Sequence, residues 1–259
     1  MVRKNLPAYL VNAFFVNGKN IMNISAKHLD FKVLNERIRA SAGNVRIDEC
    51  YGQRFIGSGL KERTISINGT PGNALGAYLD GGIIEVHGNA QDAVGDTMND
   101  GKIIVHGDAG DTLGYAMRGG RIFVRGNAGY RTGIHMKEYK DKKPAVIIGG
   151  KVGSFLGEYL AGGLIVVLGI GSEEVPVGNF TGTGMHGGKI FIRTDKELTN
   201  LPTQVISQIA SEEDLQEIVP LITEFAGYFD RDIAKLMESR FYLLAPNTKN
   251  PYKQLYVAN

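Results

Sequence analysis

Tryptophan is absent from the 259 residues, and cysteine occurs once, at Cys50. A lone thiol closes no internal disulfide, ligates no iron–sulfur cluster and builds no cysteine-rich zinc site, and it gives no sign of an oxidising compartment. Long apolar runs are missing as well: the run from Leu164 to Leu168 falls far short of a membrane span. The N-terminal MVRKNLPAYLVNAFF begins basic, but its apolar patch is short, broken by asparagine and followed by no small-residue cleavage signal, which argues against a signal peptide. An excess of one charge is also lacking. The 29 Lys and Arg against 27 Asp and Glu leave +2, too little to argue for nucleic acid. No G-x-x-x-x-G-K-[ST] loop and no G-x-S-x-G elbow occurs, which weighs against P-loop chemistry and an ordinary α/β-hydrolase. The expectation is a cytoplasmic protein with neither a membrane nor a nucleic-acid partner.

Glycine is abundant, at 35 residues, about twice the usual share, and concentrated between residues 52 and 188. Gly57, Gly76, Gly95, Gly114 and Gly133 lie 19 residues apart, and Gly157 and Gly182 follow after 24 and 25. Gly69, Gly88, Gly107, Gly126, Gly150 and Gly169 form a second column with the same step and one longer interval. Each unit carries an alternating apolar run, such as IIEVHG, KIIVHG, RIFVRG or LIVVLG, that reads as a strand. One face of these runs is β-branched throughout: Ile65/Ile67, Ile84/Val86, Ile103/Val105, Ile122/Val124, Val146/Ile148, Ile165/Val167 and Ile190/Ile192. A further column is Leu79, Met98, Met117, Met136, Leu160 and Met185.

Nineteen residues hold several short strands and turns but no strand plus helix. The pattern therefore predicts a mainly β fold, a single-stranded right-handed parallel β-helix of six to seven coils, with like positions stacked into interior ladders. The glycine intervals alternate 12 and 7 rather than in multiples of six, which sets aside the hexapeptide solenoids. Glycines 76, 95, 114, 133, 157 and 182 become structural corners. The same logic disposes of the GxGxxG at Gly182, Gly184 and Gly187: a strand-like KIFIRT follows it where a dinucleotide fingerprint needs a helix.

Two long intervals mark loop insertions, within His135–Ala145 and Gly169–Phe180. The organisation expected is an N-terminal segment and capping helix over 1–44, the β-helix over 45–195, and a helical cap and tail over 196–259. The first helix takes Asp30 as N-cap and Gly43 as stop. The second opens on a Ser211/Asp214 capping box and breaks near Pro220 or Gly227, and DRDIAKLMESR adds a short third. The tail from Ala245 reads as loop.

His87 and His106 occupy equivalent places on adjacent coils, so their rings would stack about 5 Å apart. The next equivalents, Arg125 and Gly149, supply no third metal ligand, and solvent-facing stacked rings are the plainer reading. His135 and His186 sit beside the methionine column and would line any cleft there. Arg118, Arg121, Arg125, Arg131, Lys137, Lys140, Lys142 and Lys143 form a basic cluster, with Asp108, Asp111, Glu138 and Asp141 as the balancing acids expected for a solvated face. The outward row between the interior pairs runs Ser66, Glu85, Ile104, Phe123, Ile147, Val166, Phe191. Its apolar stretch must be covered, by a terminal helix or by another chain. Ile104, Phe123, Ile147 and Val166, with Arg121 and Arg125, are the expected partner-contact surface.

The strings NGTPGNALGAYLDGG, GNAQDAVGDTMNDGKIIVHGDAGDTLGYAMRGGRIFVRGNAGYRTGIHMKEY, GSFLGEYLAGGLIVVLG and GTGMHGGKIFIR resemble the GXGXG domain of glutamate synthase, over roughly Tyr51 to Thr194. More distantly, they are similar to a β-helix subunit of formylmethanofuran dehydrogenase. The resemblance implies a domain without catalytic residue, cofactor or metal of its own. Such a domain holds together an amidotransferase part and a synthase part that carries FMN and an iron–sulfur cluster. With Met1 in place of an N-terminal cysteine nucleophile, and with one cysteine, this chain would be the third-domain subunit of a split enzyme making glutamate from glutamine and 2-oxoglutarate. It would have no activity alone and would act within an oxidoreductase complex of nitrogen assimilation. Its partners would be the amidotransferase and synthase chains, or further copies of itself. The alternatives are the formylmethanofuran dehydrogenase-like role and a stand-alone ligand-binding or enzymatic β-helix.

Overall fold

The computed structural model describes residues 21–247, which form three helices and one 11-stranded sheet. In chain order these are β1 (Ile21–Ser25), α1 (Phe31–Ala40), β2 (Asn44–Tyr51), β3 (Thr64–Thr70), β4 (Asp80–His87), β5 (Asp100–Val105) and β6 (Arg121–Val124). They continue with β7 (Ala145–Ile148), β8 (Ala161–Val167), β9 (Gly187–Arg193), β10 (Val205–Ile209), α2 (Glu212–Phe229), α3 (Ile233–Met237) and β11 (Phe241–Pro246). Strands β1 to β9 pair in sequence order, all parallel, and β11 then β10 add antiparallel at the far edge.

The ladders stack in register. Ile65 pairs with Ile84, Ile84 with Ile103, Ile103 with Ile122, Ile122 with Val146, Val146 with Ile165 and Ile165 with Ile190. Both insertions leave that register intact, so their extra residues loop away from the coils. One more coil precedes those read from the sequence: Val45 and Ile47 of β2 pair with Ile65 and Ile67. A bulge between Ile47 and Cys50 and the lack of a corner glycine ahead of β2 hide it from a glycine-based alignment.

The interior is filled from three sides by the β-branched pairs, by Leu75, Val94, Leu113 and Leu156, and by the Leu79–Met185 column, all essentially inaccessible. A fourth side is lined by Ala90, Ala109, Ala128 and Val152, which form isolated parallel bridges from coil to coil. Polar ladders hold the turns outside. Asn89 Oδ1 accepts from the Asp108 amide at 2.9 Å, Asp108 Oδ1 from Asn127 at 2.6 Å, and Asn127 Oδ1 from Lys151 at 2.8 Å.

The ends close differently. Helix α1 starts on Asp30, which accepts from the Lys32 amide, and ends at Ala40 with Ser41 as C-cap, ahead of Gly43. Its Leu34 and Ile38 bury into the first coils. At the other end the closure is a β11–β10 pair, with Leu244 opposite Ile190, where the sequence suggested helix. Only residues from 248 onward of the expected loop tail lie outside the described residues; Ala245 and Pro246 end β11.

Helix α2 has the expected Ser211/Asp214 capping box. It passes through Pro220 and Gly227 without a break. Proline removes one helical hydrogen bond, at a cost of about 3 kcal/mol in an isolated helix interior. Burial of Ile218, Leu221, Ile222, Phe225 and Phe229 against the sheet offsets it.

Candidate interaction surfaces

The apolar outward row is covered by the chain itself. Ile104, Phe123, Ile147, Val166 and Phe191 are fully buried in a second cluster with Ile218, Leu221, Ile222, Phe225 and Phe229 of α2. The four residues expected to meet a partner are therefore not an open strip. A helix placed along the side of the coils, rather than over their end, uses that surface internally.

Acidic residues on α2 meet the basic cluster. Glu224 pairs with Lys102 and, at 2.6 Å, with Arg121; Glu217 pairs with Lys143 and, at 2.9 Å, with Lys189. Burial works to raise the Glu224 pKa, but hydrogen bonds from Lys102, Tyr228 and Arg121 prevail and hold it below the ordinary glutamate value. Glu217 is lowered in the same way, against its own burial, by Lys143 and Lys189. The balancing acids are thus on the distant helix, together with Asp80 and Asp100, which Lys142 bridges at 3.6 and 3.0 Å. Arg125 is exposed and has no ion pair among the described residues. A groove of about 680 Å³ runs beside the helix, lined by Arg63, Lys102, Arg121, Lys142, Lys143 and Asp100 among others.

A corner of the coils carries exposed rings. Tyr115, at 38% exposure, meets the His135 ring edge-on at 6.0 Å, and His135 stacks on Tyr159 at 5.1 Å. Beside them Arg131 lies 4.7 Å over the Phe155 ring, which stacks at 5.0 Å on Phe180, itself 54% exposed. Arg131 also pairs with Glu158 at 3.2 Å. Arg131, Phe155 and Phe180 share one column, two residues before the corner glycines Gly133, Gly157 and Gly182, and His135 and Tyr159 share another, two residues after them, so the columns themselves carry the signal that sequence reasoning missed. His186 is exposed on the next position after Met185.

His87 and His106 stack as spaced, with ring centroids 5.1 Å apart. The third group absent from their own column comes from the row beside it. Glu85 Oε1 lies 2.8 Å from His106 Nε2, and its Oε2 lies 3.7 Å from His87 Nε2. Strand alternation gives the missed signal, because Glu85 and His87, two residues apart, face the same way.

Comparison with known proteins follows the fold. The model of the GXGXG motif family matches residues 18–248. The uncharacterized protein MJ1350 of Methanocaldococcus jannaschii is 42% identical over 256 residues, covering 93% of this chain and 98% of its own. Among solved structures, a chain of the formyltransferase/hydrolase complex (FhcABCD) from Methylorubrum extorquens, in complex with methylofuran, superposes with a TM-score of 0.59. It is 18% identical and covers 93% of this chain and 92% of its own. At that identity the likeness is one of fold. Among the described residues no helix is long and apolar enough to cross a membrane.

Proposed function

The chain belongs to the GXGXG motif family, and on that premise we propose that it is a non-catalytic architectural subunit of a glutamate synthase assembled from separate chains. It fixes the amidotransferase chain against the synthase chain, and the flavin and iron–sulfur cofactors belong to those partners. The reading rests on the resemblance of the coil sequences from Tyr51 to Thr194. The observation that carries it in three dimensions is the exposed ring row of Tyr115, His135, Tyr159 and Phe180, with the half-buried Phe155 between Arg131 and Phe180. Rigid aromatics flanked by arginine are what protein interfaces use as anchors. With the flat apolar face occupied by α2, this corner and Arg125, which has no ion pair among the described residues, are surfaces free to meet a partner.

The test is capture of the native complex on the tagged full-length chain, with mass spectrometry of what comes with it. Amidotransferase and flavin chains are expected, and a Tyr159→Ser/Phe180→Ser variant of unchanged Tm should lose them. An active, complete synthase isolated without this chain would defeat the reading. A second reading has its own support in the near end-to-end superposition on a chain of a formyltransferase/hydrolase complex. Under it the captured partners are the chains of a formyl-transferring or formylmethanofuran dehydrogenase-like enzyme, and tungsten or molybdenum in the captured complex marks the latter.

A further inference from the structure

We propose that Glu85, His87 and His106 form a binding site for one divalent transition-metal ion, best matched by Zn²⁺. The fold builds the site by stacking. Glu85 and His87 project from β4 on the same side. His106 follows the end of β5, and its amide donates to the Val86 carbonyl at 2.9 Å, which sets it one coil on from His87. Two imidazole nitrogens and a carboxylate oxygen lie within 4.8 Å of one another, and both imidazoles present Nε2 to the carboxylate. Ligand atoms around a tetrahedral zinc at about 2.0–2.2 Å sit somewhat over 3 Å apart, so small side-chain rotations suffice.

Charge points the same way. Glu85 is 8% exposed, and its ion-pair partners among the described residues are the two histidines alone. Three other largely covered carboxylates have lysine or arginine: Glu224 has Lys102 and Arg121, Glu217 has Lys143 and Lys189, Glu158 has Arg131. An imidazole carries charge only when protonated, so a buried carboxylate facing two of them is left without a permanent counter-charge. A divalent cation supplies it.

The surroundings complete the site. Phe229, the last residue of α2, packs edge-on against the His106 ring at 5.2 Å, bringing the negative end of that helix dipole to the cluster. His87 is open to solvent and gives a path of entry, and its Nε2 lies 3.2 Å from the Ser66 hydroxyl, a contact that metal binding would replace. The next coil has Arg125 at the histidine position, which limits the row to one ion. Two imidazoles and one carboxylate suit zinc or its first-row neighbours rather than calcium or magnesium, and leave a coordination position for water.

The test titrates Zn²⁺ into chelator-stripped full-length chain by calorimetry, with Co²⁺ absorption as a report on ligand number and type. One equivalent is expected in the wild type, with the His87 and His106 ring NMR signals shifting together. His87→Ala, an exposed change that spares the core, should weaken binding by at least about tenfold. Glu85→Gln should do the same while keeping a hydrogen-bonding group beside His106. Thermal melts of both variants confirm the fold. Failure of the wild type to take up one equivalent, or unchanged affinity in both folded variants, overturns the site.

Discussion

At the scale of single residues, the corner glycines carry two constraints at once. Gly95 has φ +70°, and a Cβ there would come within 2.4 Å of Ile122 Cδ1 in the interior ladder. Both the left-handed backbone and the missing side chain are needed. Gly95→Ala should therefore destabilise by about 2–4 kcal/mol, from backbone strain and overpacking together. Gly59 shares the backbone conformation, at φ +66°, but has nothing within 4 Å of its Cβ position. Gly59→Ala should cost only about 1 kcal/mol, and urea unfolding of the two variants separates space from strain. Cys50 is a quieter case. Burial pushes its thiol up to about 11, with a hydrogen bond involving Gln53 opposing the shift only in part. It should resist alkylation at mildly alkaline pH until the chain is unfolded.

At the scale of elements, α2 is the piece whose position changes the meaning of its neighbours. It converts an apolar strip into a second core, in which Phe123→Ala should cost about 3–5 kcal/mol by opening a cavity. Its polar side is held by glutamates whose folded pKa values lie below the ordinary 4.5. A carboxyl lowered on folding contributes stability that is complete above its unfolded pKa and is lost as pH falls through the folded one. Acidification from about pH 5 to pH 3 should thus loosen α2 from the sheet, read as rising ANS fluorescence. Glu224→Gln, which no longer titrates, should flatten that response. Helix α3 is tied separately: Arg193 of β9 donates through Nε to the Leu236 carbonyl at 2.8 Å and through Nη1 to that of Leu168 at 3.1 Å.

At the scale of the whole molecule, a stack of in-register parallel strands has the problem of its ends. An unpaired last strand would offer its edge to another copy. The β11–β10 pair turns that edge antiparallel, and Leu244 plugs the interior beside Ile190. Leu244→Asp should open the last coil and convert the chain into large aggregates, detectable by light scattering at concentrations where the wild type stays dispersed. With the apolar strip covered by α2, the ring-bearing corner remains exposed, and assembly variants belong there.

Periodic features were readable from the chain because each coil repeats the same steric demand. A glycine in the repeating corner column and a β-branched pair on the inner face of each sheet strand from β3 to β9 leave a 19-residue trace whatever lies around them. Insertions were equally visible as breaks in that trace, and the capping box of α2 follows from the spacing of Ser211 and Asp214 alone. Placement of α2 was not legible. An amphipathic helix states that it will bury one face, not against what. The choice between the open end and the lateral strip depends on contacts such as Phe225 against Gly149, more than 70 residues away. The carboxylate beside His87 and His106 stayed hidden for a related reason. Sequence columns align like with like, whereas tertiary stacking also joins one column to the next, and the Glu85 oxygens meet imidazoles from two coils only once those coils are laid side by side.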